Sequence, residues 1–496
     1  MKNICLYFEL HQPIRLRRYR FFDIGNDHYY YDDYANESNI NRLAHTCYLP
    51  TNKILLDLIK KNKGKFSVAF SISGIMLDQL KIYAPEVIDS FKALADTKQV
   101  EFIAETSSHS LASLRNADEF KRQIAEQIKN IEETFGQIPT VFRNTELIYS
   151  DWIGEQVAQM GFKGILAEGA KQTLGWKSAN YVYCNITEPR LKVLLRNYHL
   201  SDDIALRFSN QSWPSWPLTA DKFKSWLDGL QDNEEIINLF MNYETFGANH
   251  STESGIHDFL KALPETILND NKYAFITPSK AVSKIQPVSA IQVPDATSWG
   301  DEERDVTAWL GNEMQNEAVD TLYKLTDLIS KCTDTAILKD WQYLQSSDNF
   351  YYMATKFFAN GGNKAYQNPY QTPYDAFINY MNVLTDFSQR LKQSVPDTDN
   401  EEITELKEVI KKQQAELSSL EKQLVKAGVA PATKTTKKTT TAKTTATKKT
   451  ATKATTTKAA TEKTTAATTK KATAEKKPVA KKTAKKPTTK TKNATK

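Results

Sequence analysis

The sequence predicts an α/β protein built on a (β/α) barrel, followed by a helical region, a short coiled coil and a basic tail. Three observations lead to this prediction. Short β-rich runs alternate with helical patterns from residue 1 to about residue 285, and such alternation is typical of a parallel sheet. Residues 286–395 carry helical periodicity alone. Residues 400–496 contain a heptad pattern and then a segment rich in Lys, Thr and Ala.

The barrel prediction covers residues 1–285 and depends on eight runs with the composition of strands. They are near-continuous apolar runs, as expected of parallel strands that are buried on both faces. In chain order they read NICLYFEL, KFSVAFSIS, VEFIAE, TVFRNTELIY, KGILAE, VLLRNYHLS, IINLFMNY and YAFITPS. Amphipathic segments such as TNKILLDLIKKN lie between several of them. Seven or eight strand–helix units favour a closed barrel over an open sheet.

The chain after the barrel is predicted to be helical up to residue 428. Residues 286–395 include DVTAWLGNEMQNEAVDTLYKLTDLISK and PYDAFINYMNVLTDFSQRLK, which have apolar residues at helical spacing. Residues 400–428 contain four heptads with charged flanks. The heptads favour a coiled coil that forms a homo-oligomer through residues 401–428, with a mild preference for a dimer. The alternative is a single helix packed back on the body.

The C-terminal segment, residues 429–496, is predicted to be disordered because it has almost nothing to bury. Residues 431–496 contain 20 Lys and two Glu, a net charge of +18, so the rest of the chain carries −12. One interpretation is that the tail binds a nucleic acid or another polyanion by counterion release. The other is a solvated, solubilising tail. The segment lacks aromatic residues and Arg, which excludes base stacking and bidentate base reading.

Cysteine use and hydropathy favour a cytoplasmic protein. Cys5, Cys47, Cys184 and Cys332 form neither a CxxC pair nor a metal-ligand spacing, which fits a reducing compartment. The N-terminal MKNICLYFELHQP lacks the long apolar run of a signal peptide. No stretch approaches 18 apolar residues, so we expect no transmembrane helix and no membrane partner.

Polar side chains follow the ends of several predicted strands, where barrel enzymes place their catalytic groups. Any one of them can be an ordinary loop residue or a helix cap. Together they indicate an acidic cleft suited to acid–base or carboxylate-nucleophile chemistry. No metal and no cofactor is predicted, because HxxxH, HExxH, P-loop, GxGxxG and GxSxG patterns are absent. The polar residues are His11, Glu101, Glu105, Glu146, Glu168, Asp202, Asp203, Asn242 and Glu244.

Five segments make the sequence resemble the family 57 glycoside hydrolases, specifically their α-amylase group. LHQP, VEFIAETSSHSLASL and LQSSDNFYYM are similar to three motifs of that family, and VFRNTELIYS and FMNYETFGANH to the two that carry its catalytic pair. The resemblance covers roughly residues 1–395, including SWGDEERDVTAWLGNEMQ. It implies an incomplete seven-stranded barrel and a helical region that completes the substrate cleft. It also implies substrate-binding roles for His11, Glu101, His109, Asp348 and Trp299.

The resemblance implies a retaining glycosidase, which needs two carboxyl groups about 5–5.5 Å apart. Glu146 matches the family nucleophile, and Arg143 and Asn144 beside it are expected to help keep it ionised. Asn242 stands at the position where the family has its acid–base Asp. An amide has no acidic proton to give, and the loss of a general acid typically costs about 10²–10⁴ in rate. Glu244 is predicted to face the same cleft, as a supporting group or a substitute acid.

Three functions stay open at this point, and all of them have an α-glucan polysaccharide or oligosaccharide as partner. The first is an α-amylase-like hydrolase that acts on α-1,4-glucans by double displacement, with activity weakened or lost through Asn242. The second is a non-catalytic glucan-binding protein that uses the same cleft. The third is a 4-α-glucanotransferase of the same family.

Overall fold

The computed structural model describes residues 1–356, 368–395, 409–414 and 416. The chain divides into two compact units, Met1–Glu405 and Leu406–Lys496, and all elements named below lie in the first. The predicted basic tail lies outside the described residues. So does most of the predicted coiled coil, of which residues 409–414 and 416 are described and helical.

The described residues contain ten strands. Seven of them are parallel and run in the spatial order β8-β1-β2-β3-β4-β5-β7, where the step from β3 to β4 is a bridge between Ala104 and Phe142. The two ends of this series meet where the amide of Asn197 donates to the carbonyl of Asn238 at 2.9 Å. The strands are β1 Lys2–Leu10, β2 Val68–Ile72, β3 Val100–Phe102, β4 Val141–Arg143, β5 Gly164–Glu168, β6 Val182–Asn185, β7 Lys192–Arg196, β8 Ile236–Asn242, β9 Tyr273–Phe275 and β10 Ser289–Ile291.

This parallel arrangement is the one that a (β/α) barrel requires, and all eight predicted strand runs contain a strand. Two strands were not predicted. β6 pairs antiparallel with β7, and β10 pairs parallel with β6. β6 is followed by β7 with no helix between them, and two of the three residues of β10 are exposed, so neither strand gave the alternation or the apolar run that revealed the others. β9 pairs with the first residues of β1 rather than extending the series.

Helices surround the strands and make up most of the described residues after residue 305. Asn116 caps the longest helix of the barrel, α5, by accepting from the amides of Asp118 and Glu119, and Gly136 ends it in the left-handed conformation. Among the described residues, no helix is both long and apolar enough to cross a membrane. The helices are α1 Asp33–Leu43, α2 Leu49–Lys61, α3 Gly74–Tyr83, α4 Pro85–Asp96, α5 Ala117–Phe135, α6 Asp151–Gln159, α7 Lys171–Leu174, α8 Tyr198–Ala205, α9 Ala220–Asp228, α10 Ile256–Leu268, α11 Pro278–Lys284, α12 Thr307–Leu310, α13 Glu313–Tyr323, α14 Thr326–Lys331, α15 Thr335–Leu344, α16 Ser347–Tyr351 and α17 Pro373–Ser394.

The central strand β1 shows how the barrel interior leads to a polar cluster. Its alternate residues Cys5 and Tyr7 lie in an apolar cluster that includes Phe240 of β8. Leu6 and Phe8, which point the other way, lie in the core shared with the helices. Because strand side chains alternate, Glu9 continues the inward row of Cys5 and Tyr7 toward the carboxyl end of the barrel. The apolar interior therefore ends in a buried carboxyl group.

Candidate active site

The site lies at the carboxyl ends of β1, β3 and β4, where the chain brings several buried charged groups into contact. His109 is at the centre. Its Nδ1 lies 3.1 Å from Oε2 of Glu105 and 3.6 Å from Oε1 of Glu9, and its Nε2 lies 3.5 Å from Oε1 of Glu146. Arg143, the last residue of β4, pairs with Glu9 and with Glu105. We call these five residues the Glu146 cluster.

Glu146 is oriented by contacts on both carboxylate oxygens. The indole Nε1 of Trp299 donates to Oε2 at 2.6 Å, and His109 approaches Oε1. Burial raises the pKa of Glu146, but the hydrogen bond and charge of His109, the charge of Arg143 and the indole outweigh it, so the pKa is lowered. Glu146 is therefore an ionised carboxylate with only 6% of its surface exposed.

The backbone at the same site is strained. Glu146 has φ 54° and ψ 28°, and Leu147 and His109 have φ values of 52° and 48°. Non-glycine residues in this left-handed region cost of the order of 1–3 kcal/mol each, and they concentrate at functional sites. The contacts of the Glu146 cluster hold the carboxylate in a conformation that the isolated chain disfavours.

Two histidines stack face to face beside Glu146. The rings of His11 and His109 are 3.7 Å apart and inclined by 13°. Burial lowers the pKa of His109, but the surrounding carboxylates outweigh it and raise the pKa to about 10. Burial and the charge of His109 lower the pKa of His11, against the effect of Asp348. The pair therefore combines a cationic ring with a neutral one.

His11 also connects the barrel to the helical region. Its Nε2 lies 2.8 Å from Oδ2 of Asp348 in α16, and its Nδ1 lies 2.7 Å from Oγ of Ser73. Burial raises the pKa of Asp348, but the charge and hydrogen bond of His11 outweigh it, and the pKa falls to about 2. His11, His109 and Asp348, which the sequence places far apart, thus lie together.

Asn242 ends β8 directly beside Glu9. The two residues are register partners on neighbouring strands. Asn242 is partly exposed, and its amide makes no hydrogen bond to any residue that the structure describes. The side chain at the predicted acid–base position is therefore present at the cluster, without a proton to give.

Glu244 is close to Asn242 but no longer in the strand. It lies in a 3₁₀ turn, Tyr243–Thr245, so the same-face rule for residues i and i+2 of a strand does not apply to it. Its Oε1 accepts from the hydroxyl of Tyr48 at 2.5 Å and from Nε2 of Gln12 at 3.2 Å. Burial raises the pKa of Glu244 despite these hydrogen bonds.

Trp299 lies at the Glu146 cluster, and Asn144 is held by two other partners. The indole of Trp299 donates to the carboxylate of Glu146, and the guanidinium groups of Arg143 and Arg196 lie 5.0 and 5.6 Å from its ring centroid. Asn144 donates to Oγ of Ser113 and to the carbonyl of Ile148.

Glu101 is not brought to the Glu146 cluster. It lies within β3, and its carboxylate accepts from the backbone and hydroxyl of Ser279. It precedes Glu105 by four residues, which along a strand is about 13 Å. The remaining strand-end acids lie elsewhere too. Glu168 and Asp202 pair with Arg196 and Arg304, and Asp203 pairs with Arg207.

Glu9 was missed because it lies inside a predicted strand and not at its end. The available signal was a single carboxylate in an otherwise apolar run. Ligand atoms of Glu9, Glu105 and His109 lie within 4.8 Å of one another, close enough to hold a metal ion. Arg143 already pairs with both carboxylates, however, and a guanidinium in that place disfavours a second cation.

A family model and a sequence relative identify the family of this chain. Residues 5–294 match the model described as Glycosyl hydrolase family 57. Over 403 residues, 79% of this chain and 85% of the relative, the sequence is 40% identical to a Methanocaldococcus jannaschii protein named "Putative alpha-amylase".

Solved structures show the same fold at low identity. A family 57 branching enzyme from Thermococcus kodakaraensis aligns with a TM-score of 0.58 at 14% identity, covering 79% of this chain and 90% of that one. The α-amylase AmyC from Thermotoga maritima aligns with a TM-score of 0.54 at 12% identity, covering 80% and 95%. On the strength of the family match and the 40% identical relative, the chain belongs to glycosyl hydrolase family 57.

Proposed function

We propose that the protein acts on α-1,4-glucans by a retaining double displacement in which Glu146 is the nucleophile. The observation that carries this proposal is the state of Glu146, which is ionised, strained and held at both oxygens by Trp299 and His109. A carboxylate fixed in this way is ready to attack a sugar at C1. The relative named as an α-amylase supports the choice of substrate.

The first step of the reaction is weakened at Asn242, because the leaving sugar oxygen needs a proton and an amide cannot supply one. Unless another group gives that proton, cleavage of a natural glucan is slower by about 10²–10⁴ than with a positioned acid. Glu244 is a supporting group, because Tyr48 and Gln12 fix one of its oxygens beyond the end of β8. His11, His109 and Asp348 form the wall beside the nucleophile.

A second candidate, glucan binding without turnover, is favoured by one specific observation. The amide of Asn242 is partly exposed at the cluster and makes no hydrogen bond to a described residue, so its donor and acceptor are available to sugar hydroxyls. Substrate would then be held at Glu146 without being released as product.

A substrate whose leaving group needs no proton separates the two candidates. α-Maltotriosyl fluoride releases fluoride ion, which is stable without protonation, so Asn242 does not limit it. The wild type should release fluoride and Glu146→Gln should not, while proton NMR should show retention of the α configuration in the first product. A wild type that binds maltotriose yet releases no fluoride supports the binding protein. Activity that survives in Glu146→Gln rules out this nucleophile.

A further inference from the structure

We propose that Glu9 supplies the proton that residue 242 cannot, so that Glu9 and Glu146 form the working carboxyl pair of this chain. The inference rests on the proposed function, because it assigns the acid–base group of the same reaction. Three features of the Glu146 cluster lead to it: the register of β1 and β8, the balance of buried charge, and the two cations beside Glu9.

The register places Glu9 level with Asn242. Register partners on neighbouring parallel strands are about 4.8 Å apart, and their side chains point to the same face of the sheet. The side chain of Glu is one methylene longer than that of Asp or Asn, so its carboxyl group extends further from the backbone. The carboxyl groups of Glu9 and Glu146 are also linked by the ring of His109, which contacts both. Glu244, by contrast, lies beyond the strand and bonds Tyr48 and Gln12.

The charge balance favours a proton on one carboxyl group. Around the stacked pair of His11 and His109 lie four buried carboxyl groups and two cations, because His11 is neutral. Burial, Glu146 and Glu105 raise the pKa of Glu9, Arg143 and His109 lower it, and the result is about 8. Near neutral pH the carboxyl group that keeps its proton is therefore Glu9. The carboxyl groups are those of Glu9, Glu105, Glu146 and Asp348, and the cations are Arg143 and His109.

The reaction then balances with groups of this chain and water. Glu146 bonds to C1 as the glycosidic C1–O bond breaks, and the electron pair stays on the leaving oxygen, which takes the proton of Glu9. Water next attacks C1, gives a proton back to Glu9, and displaces the carboxylate of Glu146. Between the two steps Glu9 is an anion, and the adjacent Arg143 and His109 stabilise it.

Two substrates and three variants test this assignment. Maltopentaose needs a proton for its leaving group, and α-maltotriosyl fluoride does not. Glu9→Gln should cut kcat/KM for maltopentaose by about 10²–10⁴ and change kcat/KM for fluoride release, which reports only the first step, by no more than about threefold. With maltopentaose, kcat/KM of the wild type should fall as the pH rises through about 8, and Glu9→Gln should lack that limb. Glu234→Gln is the matched control, a buried carboxyl group before β8 that accepts from Ser178 outside the cluster, and Glu244→Gln tests the rival acid.

The assignment is rejected if Glu9→Gln lowers both activities equally, which indicates a structural role, or lowers neither. It is also rejected if Glu244→Gln alone removes maltopentaose cleavage, or if the wild type releases fluoride but never cleaves maltopentaose. A wild type that releases no fluoride, or a Glu146→Gln variant that still does, shows instead that the proposed function has failed. The inference about Glu9 then falls with it.

Discussion

The side chain of Asn242 differs from that of Asp only by an amide nitrogen in place of a carboxyl oxygen. In the Glu9→Gln background, which lacks the proposed acid, Asn242→Asp should raise the cleavage of maltooligosaccharides at least about tenfold, toward the 10²–10⁴ that a positioned acid contributes. The kcat/KM for fluoride release from α-maltotriosyl fluoride should stay within about threefold, because the first step with that substrate needs no proton. Reducing-sugar and fluoride-electrode assays measure the two rates on the same preparation. An equal rise on both substrates would contradict the proton argument.

The indole of Trp299 is one of the groups that lower the pKa of Glu146. Trp299→Phe removes the donor to Oε2, so the pKa of Glu146 should rise and the acid limb of the pH–rate profile should move to higher pH. Loss of a hydrogen bond to a charged group typically costs about 1.5–3 kcal/mol, or about 10- to 100-fold in rate. Trp309→Phe is the control, because its buried indole N–H bonds no described residue. An unmoved acid limb would argue for substrate stacking instead.

Single residues of the site were predictable where a motif surrounds them. Glu146, His11, His109 and Asp348 were identified in this way, and the structure brings them together. Motif similarity identifies where a residue lies in the sequence, but it does not show how far along the barrel axis its side chain lies. It therefore could not separate Glu101 from Glu105, which lie at different levels of one strand end, nor show that Glu9 reaches across to His109.

At the scale of elements, the loop after β8 depends on a close backbone approach. Gly247 has φ +109°, and a Cβ there would lie 2.0 Å from the carbonyl oxygen of Thr46, in the turn that carries Tyr48. Gly247→Ala should destabilise the protein by about 3 kcal/mol or more, because backbone must move, and should displace Glu244 from Tyr48. Urea unfolding monitored by circular dichroism measures the change.

A matched glycine lies eight residues further on. Gly255 has φ +83°, with no atom within 4 Å of a Cβ built on it. Gly255→Ala should therefore cost only the conformational term, about 1 kcal/mol. Equal losses for the two substitutions would show that the approach to Thr46 is not what requires glycine at 247.

Strands were predictable where the apolar pattern of the sequence matches the way the strand pairs in the sheet. Every predicted strand run belongs to a parallel strand with an apolar signature, and buried parallel strands give that signature most clearly. β6 was missed because it connects to its antiparallel neighbour β7 without a helix. β10 was missed because Ser289 and Ala290 are exposed and leave no apolar run to read.

At the scale of the whole molecule, the charged cluster makes stability depend on pH. The folded-state pKa of His109 is raised to about 10, above its unfolded value of about 6.5. Its contribution is therefore fully present below about pH 6.5 and is lost as the pH rises through about 10. The stability gap between the wild type and His109→Gln should shrink by about 1 kcal/mol or more from pH 7 to pH 9.5. Denaturation curves at both pH values check this, and a constant gap would contradict it.

Charge also distinguishes the two ends of the molecule. Residues 431–496 carry +18 and the rest −12, and the candidate site lies wholly within Met1–Glu405. Deleting residues 429–496 should remove salt-sensitive binding to a polyanion such as heparin or DNA, and should leave maltooligosaccharide binding within about twofold. Gel shifts at two salt concentrations and affinity electrophoresis in glycogen measure the two properties. Glucan binding that disappears with the tail would overturn this division of roles.

The left-handed backbone conformation of Glu146 lowers the stability of the fold, while its carboxylate serves the proposed activity. Glycine adopts such a conformation at almost no cost, so a chain selected for stability alone would have no reason to keep a carboxylate there. The proposed nucleophile is therefore among the residues that a purely stability-driven redesign of this protein would discard. Any thermostable variant of the barrel should be checked at this one position before its loss of activity is attributed to Asn242.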